Sequence, residues 1–347
     1  MDKKEFISET FGAASTLAEK TDFAFWFIFG VSLVSLIGIT CFMIFCCIRY
    51  SRKRNPVATN IHGNVILETL WTVIPTILVM FMFWFGWEGY RYSKVVPEGA
   101  FLINVTASKW SWTFEYPRSD GGKMKYASAQ NIPSAADERM AGSKKESQAM
   151  VVPINTPIRI NLFSKDVVHS FFVPNFRVKA DAMPKPSIDT PNYLWFEATK
   201  LGLFDFHCTE YCGVGHSQMS GFVKVVSKDD FKIWLKNKSE ESILIQKNNP
   251  GFVIWETNGC ASCHSNDGDN TNKLGPSFKG LLKRKRNVRN PDGSETKDIV
   301  ADFEYVKESI LFPKRKVVSG FQNVMTAQDL TDEEIKQVFE YLKTIQD

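Results

Sequence analysis

Between Phe23 and Ile48 the chain carries no charged side chain. This run of Phe, Ile, Val, Leu, Gly and Cys exceeds the roughly 20 residues that an α-helix needs to cross a bilayer's hydrocarbon core. A second apolar run, Leu67 to Trp87, holds one charge, Glu68, at its start. Unpaired backbone is not tolerated in lipid, so the two runs predict a transmembrane helical hairpin over 21–90, with helices at about 22–48 and 67–89. Arg49, Arg52, Lys53 and Arg54 crowd the 49–66 loop. The positive-inside rule puts that loop in the cytoplasm, which leaves residues 1–20 and everything after about residue 90 outside. A cleaved signal peptide fits less well: the first run starts too late, is too long and lacks a small-residue cleavage motif. Pro75 is tolerable where neighbouring helices satisfy the freed carbonyl. Glu68 has two readings, an interfacial anchor or a functional intramembrane carboxylate.

Beyond the hairpin the periodicity changes. FLINVTA, IRINLF, SFFVPNF, YLWFEAT and GFVKVV are short β-branched and aromatic runs separated by Pro, Gly, Asn and Asp, the pattern of a β-sandwich or barrel over 95–240. The polar stretch 117–150 reads as a surface excursion. Residues 228–247 read as a charged helix, and NNPG at 248–251 marks a boundary. A further domain then occupies 250–347. Its last helix is announced by the capping-box pair Thr331 and Glu334 and by Ile335, Val338, Phe339 and Leu342 at helical spacing. A net charge of +4 with 23% charged residues points to neither nucleic acid nor disorder.

Chemistry concentrates in two places. HCTEYCGVGHSQM, residues 207–219, gathers two of the seven cysteines and two of the five histidines, with a methionine. Zinc would leave Met219 unexplained. A Cys208–Cys212 disulfide would ignore the histidines and the methionine. Copper suits the whole set: thiolates, imidazole and a weak thioether donor. Two thiolates so close can bridge two ions, which calls for a second histidine. His207 adjoins Cys208, so in an extended chain it faces the other way, and His169 in KDVVHSFF is the better candidate.

The second place is Cys260-Ala-Ser-Cys263-His264. C-x-x-C-H reads as covalent c-type haem attachment, with the imidazole as an axial ligand. A redox disulfide or half a zinc site is the alternative, but zinc needs further Cys or His and none follows His264. Met325 is the only methionine downstream and hence the candidate sixth ligand.

The sequence resembles subunit II of the haem-copper cytochrome c oxidases, in the caa-type form whose copper domain continues into a fused cytochrome c. The likeness runs through the whole chain in order. It implies a two-helix transmembrane hairpin, a cupredoxin-like β-barrel and an all-α class I cytochrome c domain. The family's C-x-E-x-C-x-x-x-H-x-x-M loop matches as Cys208, Glu210, Cys212, His216 and Met219, and its V-x-H-S-F ligand as His169. The resemblance implies a binuclear CuA centre with bridging Cys208 and Cys212 thiolates, His169 and His216 imidazoles, axial Met219 and the Glu210 carbonyl. It also implies a Mg ion that the Glu210 carboxylate shares with subunit I. LETLWTVIP matches the start of the family's second helix and makes Glu68 the mouth of a proton channel. KWSWTFEY matches its aromatic segment and makes Trp110 the port through which electrons reach copper. LGPSFKGL, with Pro276, matches a haem-domain signature, and haem c would be held by Cys260, Cys263, His264 and Met325.

Three departures stand out. Ser111 replaces the central tyrosine of the aromatic segment, Pro184-Lys185-Pro186 replaces the usual Pro-Gly-Arg, and Thr326 follows Met325 where proline is frequent. The implied function is a terminal-oxidase subunit that passes electrons from haem c through CuA to subunit I, where oxygen is reduced to water and protons are pumped. Its implied partners are subunits I and III, membrane lipid, and a donor that is a cytochrome c or a quinol-oxidising complex. The implied location is a bacterial plasma membrane crossed twice. A nitrous oxide reductase would need a propeller that this chain lacks. A quinol-oxidase subunit would lack the copper ligands, and a membrane-anchored copper chaperone or redox sensor would bind a single exchangeable copper.

Overall fold

The computed structural model describes residues 12–57, 62–118, 120–128, 149–184, 191–268 and 273–345. They form two compact units: the hairpin with Asn175–Arg177, and the remainder from Pro97 onward.

In the first unit, α1 (Thr16–Arg49) and α2 (Val65–Lys94) are both long and apolar enough to cross a membrane. Each starts earlier than its apolar run. The Ser15 hydroxyl caps α1 by accepting from Ala18 N–H, and the Asn64 side chain caps α2 by accepting from Ile66 and Leu67 N–H. Asp22 is buried and pairs with Arg177 at 2.8 Å, so its charge is answered inside this unit. A bilayer-facing helix has no core to point to, and the two helices meet through aromatic edges such as Phe23 and Phe27 on Phe85.

The second unit begins with a β-sandwich. One sheet runs β3-β2-β1-β5-β8 and the other β4-β10-β9-β6-β7. The strands are β1 (Phe101–Ser108), β2 (Ser111–Pro117), β3 (Lys123–Ala127), β4 (Met150–Pro153), β5 (Pro157–Ser164), β6 (His169–Val173), β7 (Val178–Ala182), β8 (Asn192–Glu197), β9 (Gly202–Cys208) and β10 (Ser220–Val226). Each sheet has one parallel pair, β1 with β5 and β10 with β4; the rest are antiparallel. In β5 every second residue is buried, so alternate side chains face the core. Trp112, Phe114, Phe171 and Phe206 form its aromatic centre, ring on edge or stacked. The expected surface excursion at 117–150 needs correction, because β3 occupies part of it: Met124 and Tyr126 are buried while Lys123 and Lys125 are exposed. Residues 129–148 of that stretch, and Lys185 and Pro186, lie outside the described residues.

The helix α3 (Lys228–Asn248) lays Phe231 and Trp234 on Phe101, Tyr116 and Tyr126 of the sandwich. Asn249 ends α3 and caps α4 (Pro250–Thr257), its side chain accepting from Phe252 N–H. The join is therefore one residue between two helices, and the segments that the sequence separates at 248–251 cluster as one unit. The C-terminal part continues with α5 (Cys260–Cys263), β11 (Arg286–Arg289), β12 (Glu295–Ile299), α6 (Phe303–Leu311), β13 (Val317–Val318) and α7 (Asp332–Thr344). Helix α4 crosses α7 so closely that a Cβ on Gly251 would overlap the Gln337 carbonyl. The expected capping box starts α7: Thr331 N–H donates to Glu334, and Glu334 N–H to the Thr331 hydroxyl. To the expected helices the structure adds the sheet β12-β11-β13, whose outer strand is exposed along most of its length.

Candidate metal and haem sites

The copper-type ligands come from two strands and one loop. Antiparallel β6 and β9 pair with Phe171 opposite Cys208, so the end of β9 falls beside His169 at the start of β6. Cys208 N–H donates to the Met219 carbonyl at 3.0 Å and Thr209 N–H to Ser170 at 3.1 Å, closing the neck of the 209–219 loop. Inside it the Cys208 and Cys212 sulfurs lie 3.9 Å apart, as free thiols. His169 Nδ1 is 3.9 Å from Cys208 Sγ, and His216 Nδ1 is 3.5 Å from Cys212 Sγ. Met219 Sδ is 3.9 Å from Cys212 Sγ, and the Glu210 carbonyl oxygen is 3.3 Å from Cys208 Sγ. Ligand atoms of His169, Cys208 and Cys212 all fall within 4.8 Å of one another, and all three residues are buried. His207, by contrast, is exposed.

These groups are electrostatically linked. The hydrogen bond between the thiols holds Cys208 well below the usual range and pushes Cys212 above it, because two adjacent thiolates cannot both form without a cation. Burial works against a charged His169 ring, yet the Asp166 carboxylate and Cys208 together raise its pKa. Asp166 was not singled out from the sequence. Its Oδ1 accepts from His169 Nε2–H at 2.8 Å, which turns Nδ1 toward the sulfurs, the arrangement that orients metal-binding imidazoles. Its Oδ2 accepts from Lys109 N–H at 2.8 Å, just before Trp110.

Trp110 is 3% exposed, and its indole N–H donates to the Cys212 carbonyl at 3.2 Å. Its ring lies on Gly215, where a Cβ would come within 2.5 Å. The same tryptophan lines a cleft in the C-terminal domain whose empty space, open mouth included, is about 1350 Å³. Cys260, Cys263, His264, Pro276 and Met325 line that cleft as well. His264 Nδ1–H donates to the Pro276 carbonyl at 2.7 Å, which leaves Nε2 as the free donor atom. Burial lowers its pKa to about 4, so the ring is neutral and fit for ligation. Burial likewise pushes the Cys260 and Cys263 thiols up to about 12 and about 11. A side chain at Gly275 would collide with the His264 ring, which stacks on Phe278 at 4.3 Å.

Two further cleft residues were invisible in the sequence. Trp255 Nε1 and Arg286 Nε are buried without a hydrogen-bond partner among the described residues. Orphaned donors facing an apolar cleft suit a flat apolar ligand with acidic groups, as haem is. Arg286 hides in the basic run KRKR, where nothing distinguishes it from solvated charge.

Glu68 sits in the first turn of α2, exposed, and its Oε1 accepts from Asn64 N–H at 3.3 Å. The geometry gives it a capping role.

Comparison with known proteins agrees with this layout. Residues 9–87 match the transmembrane domain of cytochrome c oxidase subunit II, 101–226 its periplasmic domain, and 249–346 cytochrome c. Cytochrome c oxidase subunit 2 of Cereibacter sphaeroides is 30% identical over 240 residues, 65% of this chain and 78% of that protein. The chain belongs to the cytochrome c oxidase subunit II family. Its counterpart from Alkalihalophilus pseudofirmus is 25% identical over 335 residues, covering 92% of this chain and 85% of that one. The crystal structure of the periplasmic domain of subunit II from Bradyrhizobium japonicum is 32% identical, with a TM-score of 0.36, and covers 43% of this chain and 99% of that one. Membership makes the chain an oxidoreductase subunit that associates with subunit I, anchored by two helices with its β-domain outside the membrane. It also implies CuA copper in the β-domain and haem in the C-terminal domain. Both donor sets fit: the first is soft and clustered, the second pairs a neutral imidazole with an apolar cleft.

Proposed function

We propose that this subunit receives electrons at its C-terminal domain and delivers them through the 209–219 loop to subunit I, where oxygen is reduced to water and protons are pumped. The observation that carries the reading is Trp110, which lines the cleft and donates its indole N–H to the Cys212 carbonyl.

When bound, copper and haem iron supply one-electron redox chemistry. Cys208 and Cys212 would hold the two copper ions together, with His169 and His216 as terminal ligands and Met219 and the Glu210 carbonyl as weak ones. Cys260 and Cys263 would tether haem c, and His264 and Met325 would hold its iron. A thioether donor together with imidazole would favour a high potential, which suits a carrier that passes electrons onward. Asp166 fixes the His169 ring, and Pro276 fixes His264. The exposed Glu210 carboxylate is offered to a Mg ion shared with subunit I. Exposed Glu68 is offered as the mouth of a proton channel, and Glu68→Gln keeps the capping carbonyl while removing proton exchange. Slower proton uptake with unchanged metal spectra is expected, and unchanged turnover would return Glu68 to a purely capping role.

The proposed setting is a bacterial plasma membrane, with the 49–66 loop in the cytoplasm and both soluble domains outside. Subunit III is a further partner, and the donor is a cytochrome c or a quinol-oxidising complex. The test is metal and spectral analysis of the purified chain. Two coppers with a mixed-valence signal and one covalent haem c are expected. Zinc, or one readily exchanged copper, would overturn the reading and favour a chaperone.

A further inference from the structure

Thr257, Asn258 and Gly259, the three residues just ahead of the C-x-x-C-H motif, each meet the β-sandwich. The Thr113 hydroxyl donates to the Thr257 carbonyl at 3.2 Å. Lys165 Nζ donates to Asn258 Oδ1 at 2.7 Å. Gly259 stands against Ser111 and Ser108: a Cβ there would come within 2.7 Å and 3.3 Å of their hydroxyl oxygens. The two hydroxyls are 3.2 Å apart and buried, so neither can swing away cheaply. Gly259 also has φ of +75°, a conformation that side chains disfavour. Small residues on one side thus face an absent side chain on the other. Ser111 stands where the family's aromatic segment has tyrosine, and a phenol at that position would fill the space that Gly259 uses.

We propose that Ser108 and Ser111, with Thr113 and Lys165, form a docking seat for Thr257–Gly259 that locks the C-terminal domain onto the β-sandwich with Trp110 enclosed between them. The serines are positioning residues: they touch neither metal nor haem, and they set how closely the cleft approaches Trp110. The domain then works as a fixed relay and not as a carrier swinging on a tether. The electron-transfer consequence rests on the function proposed above, whereas the seat itself does not.

The decisive variant is Ser111→Tyr in the full-length protein, with Ser111→Ala as the control that keeps the space. Hydrogen exchange of the 256–264 amides, measured in the full-length protein as purified, should become faster in Ser111→Tyr and stay unchanged in Ser111→Ala. In the loaded protein, photoreduced haem should lose its fast transfer phase to copper in Ser111→Tyr. A slower phase that depends on solvent viscosity should replace it, while both optical spectra and both midpoint potentials stay as in the parent. Should Ser111→Tyr fail to fold, the pair Thr113→Val and Lys165→Gln removes two seat bonds without added bulk and should give the same two results. Unchanged exchange and a retained fast phase in these variants would overturn the seat. Missing copper or haem spectra in the parent would instead sink the proposed function and leave the exchange measurement to decide the seat.

Discussion

The copper-type site and the haem cleft sit in one compact unit, yet they are built in opposite ways. The candidate copper ligands are brought together by strand register: β6 and β9 place His169 beside Cys208, and the loop neck supplies the rest. Around them the sandwich already has an aromatic core, so nothing in its packing waits for a metal. In the C-terminal domain the attachment motif is local and the surrounding core is small. That core, Leu281, Val288, Ala301, Tyr305, Val306, Val338 and Leu342, borders an open cleft with two polar atoms that have no partner among the described residues. One site is framed by a packed sandwich, and the other by an apolar cleft beside a small core.

The largest break in this comparison should come from Cys260→Ser with Cys263→Ser. On the proposed function this removes the covalent haem that would fill the cleft, so the calorimetric transition of the C-terminal domain should disappear while that of the sandwich remains. The mirror experiment is Cys212→Ser, which should abolish the binuclear copper signal and leave both transitions and the haem spectrum in place. Met325→Ala should change the haem spectrum and spare the copper. A smaller effect is expected of Asp166→Asn, where a weakened hold on His169 should cost about 10- to 100-fold in copper affinity by equilibrium competition, with the sandwich still folded. The smallest concerns Glu256, half-buried near the seat, whose pKa burial raises above the usual carboxyl range. A raised folded-state pKa gives stability at low pH that is lost as pH rises through it, since the buried carboxyl must then ionise. Glu256→Gln should therefore melt higher than the parent at pH 7, and the difference should vanish well below pH 4.

What was legible in the sequence follows physical reach. The hairpin was readable because lipid demands long uncharged runs, though Glu19, Lys20 and Asp22 concealed the first turns of α1 that Ser15 caps. C-x-x-C-H and the 207–219 cluster were readable because their spacing is local. His169 was nameable from strand alternation and family likeness, but the β6–β9 register that delivers it is a tertiary fact. Asp166, Trp255 and Arg286 gave no signal, because what marks them is a partner or a lack of one that appears only on folding. The β11–β12 hairpin was missed despite its Asn290-Pro291-Asp292-Gly293 turn, since its strands are mostly polar and carry little alternation.

Trp110 has a further consequence through its 3% exposure. On the proposed route, a free-standing carrier could not reach this ring while the attached domain covers it. Choice of donor is then written on the outer face of the C-terminal domain alone. Substitutions that retune the donor can accumulate there without disturbing the copper ligands, so the fused chain separates the evolution of whom it serves from the evolution of what it does.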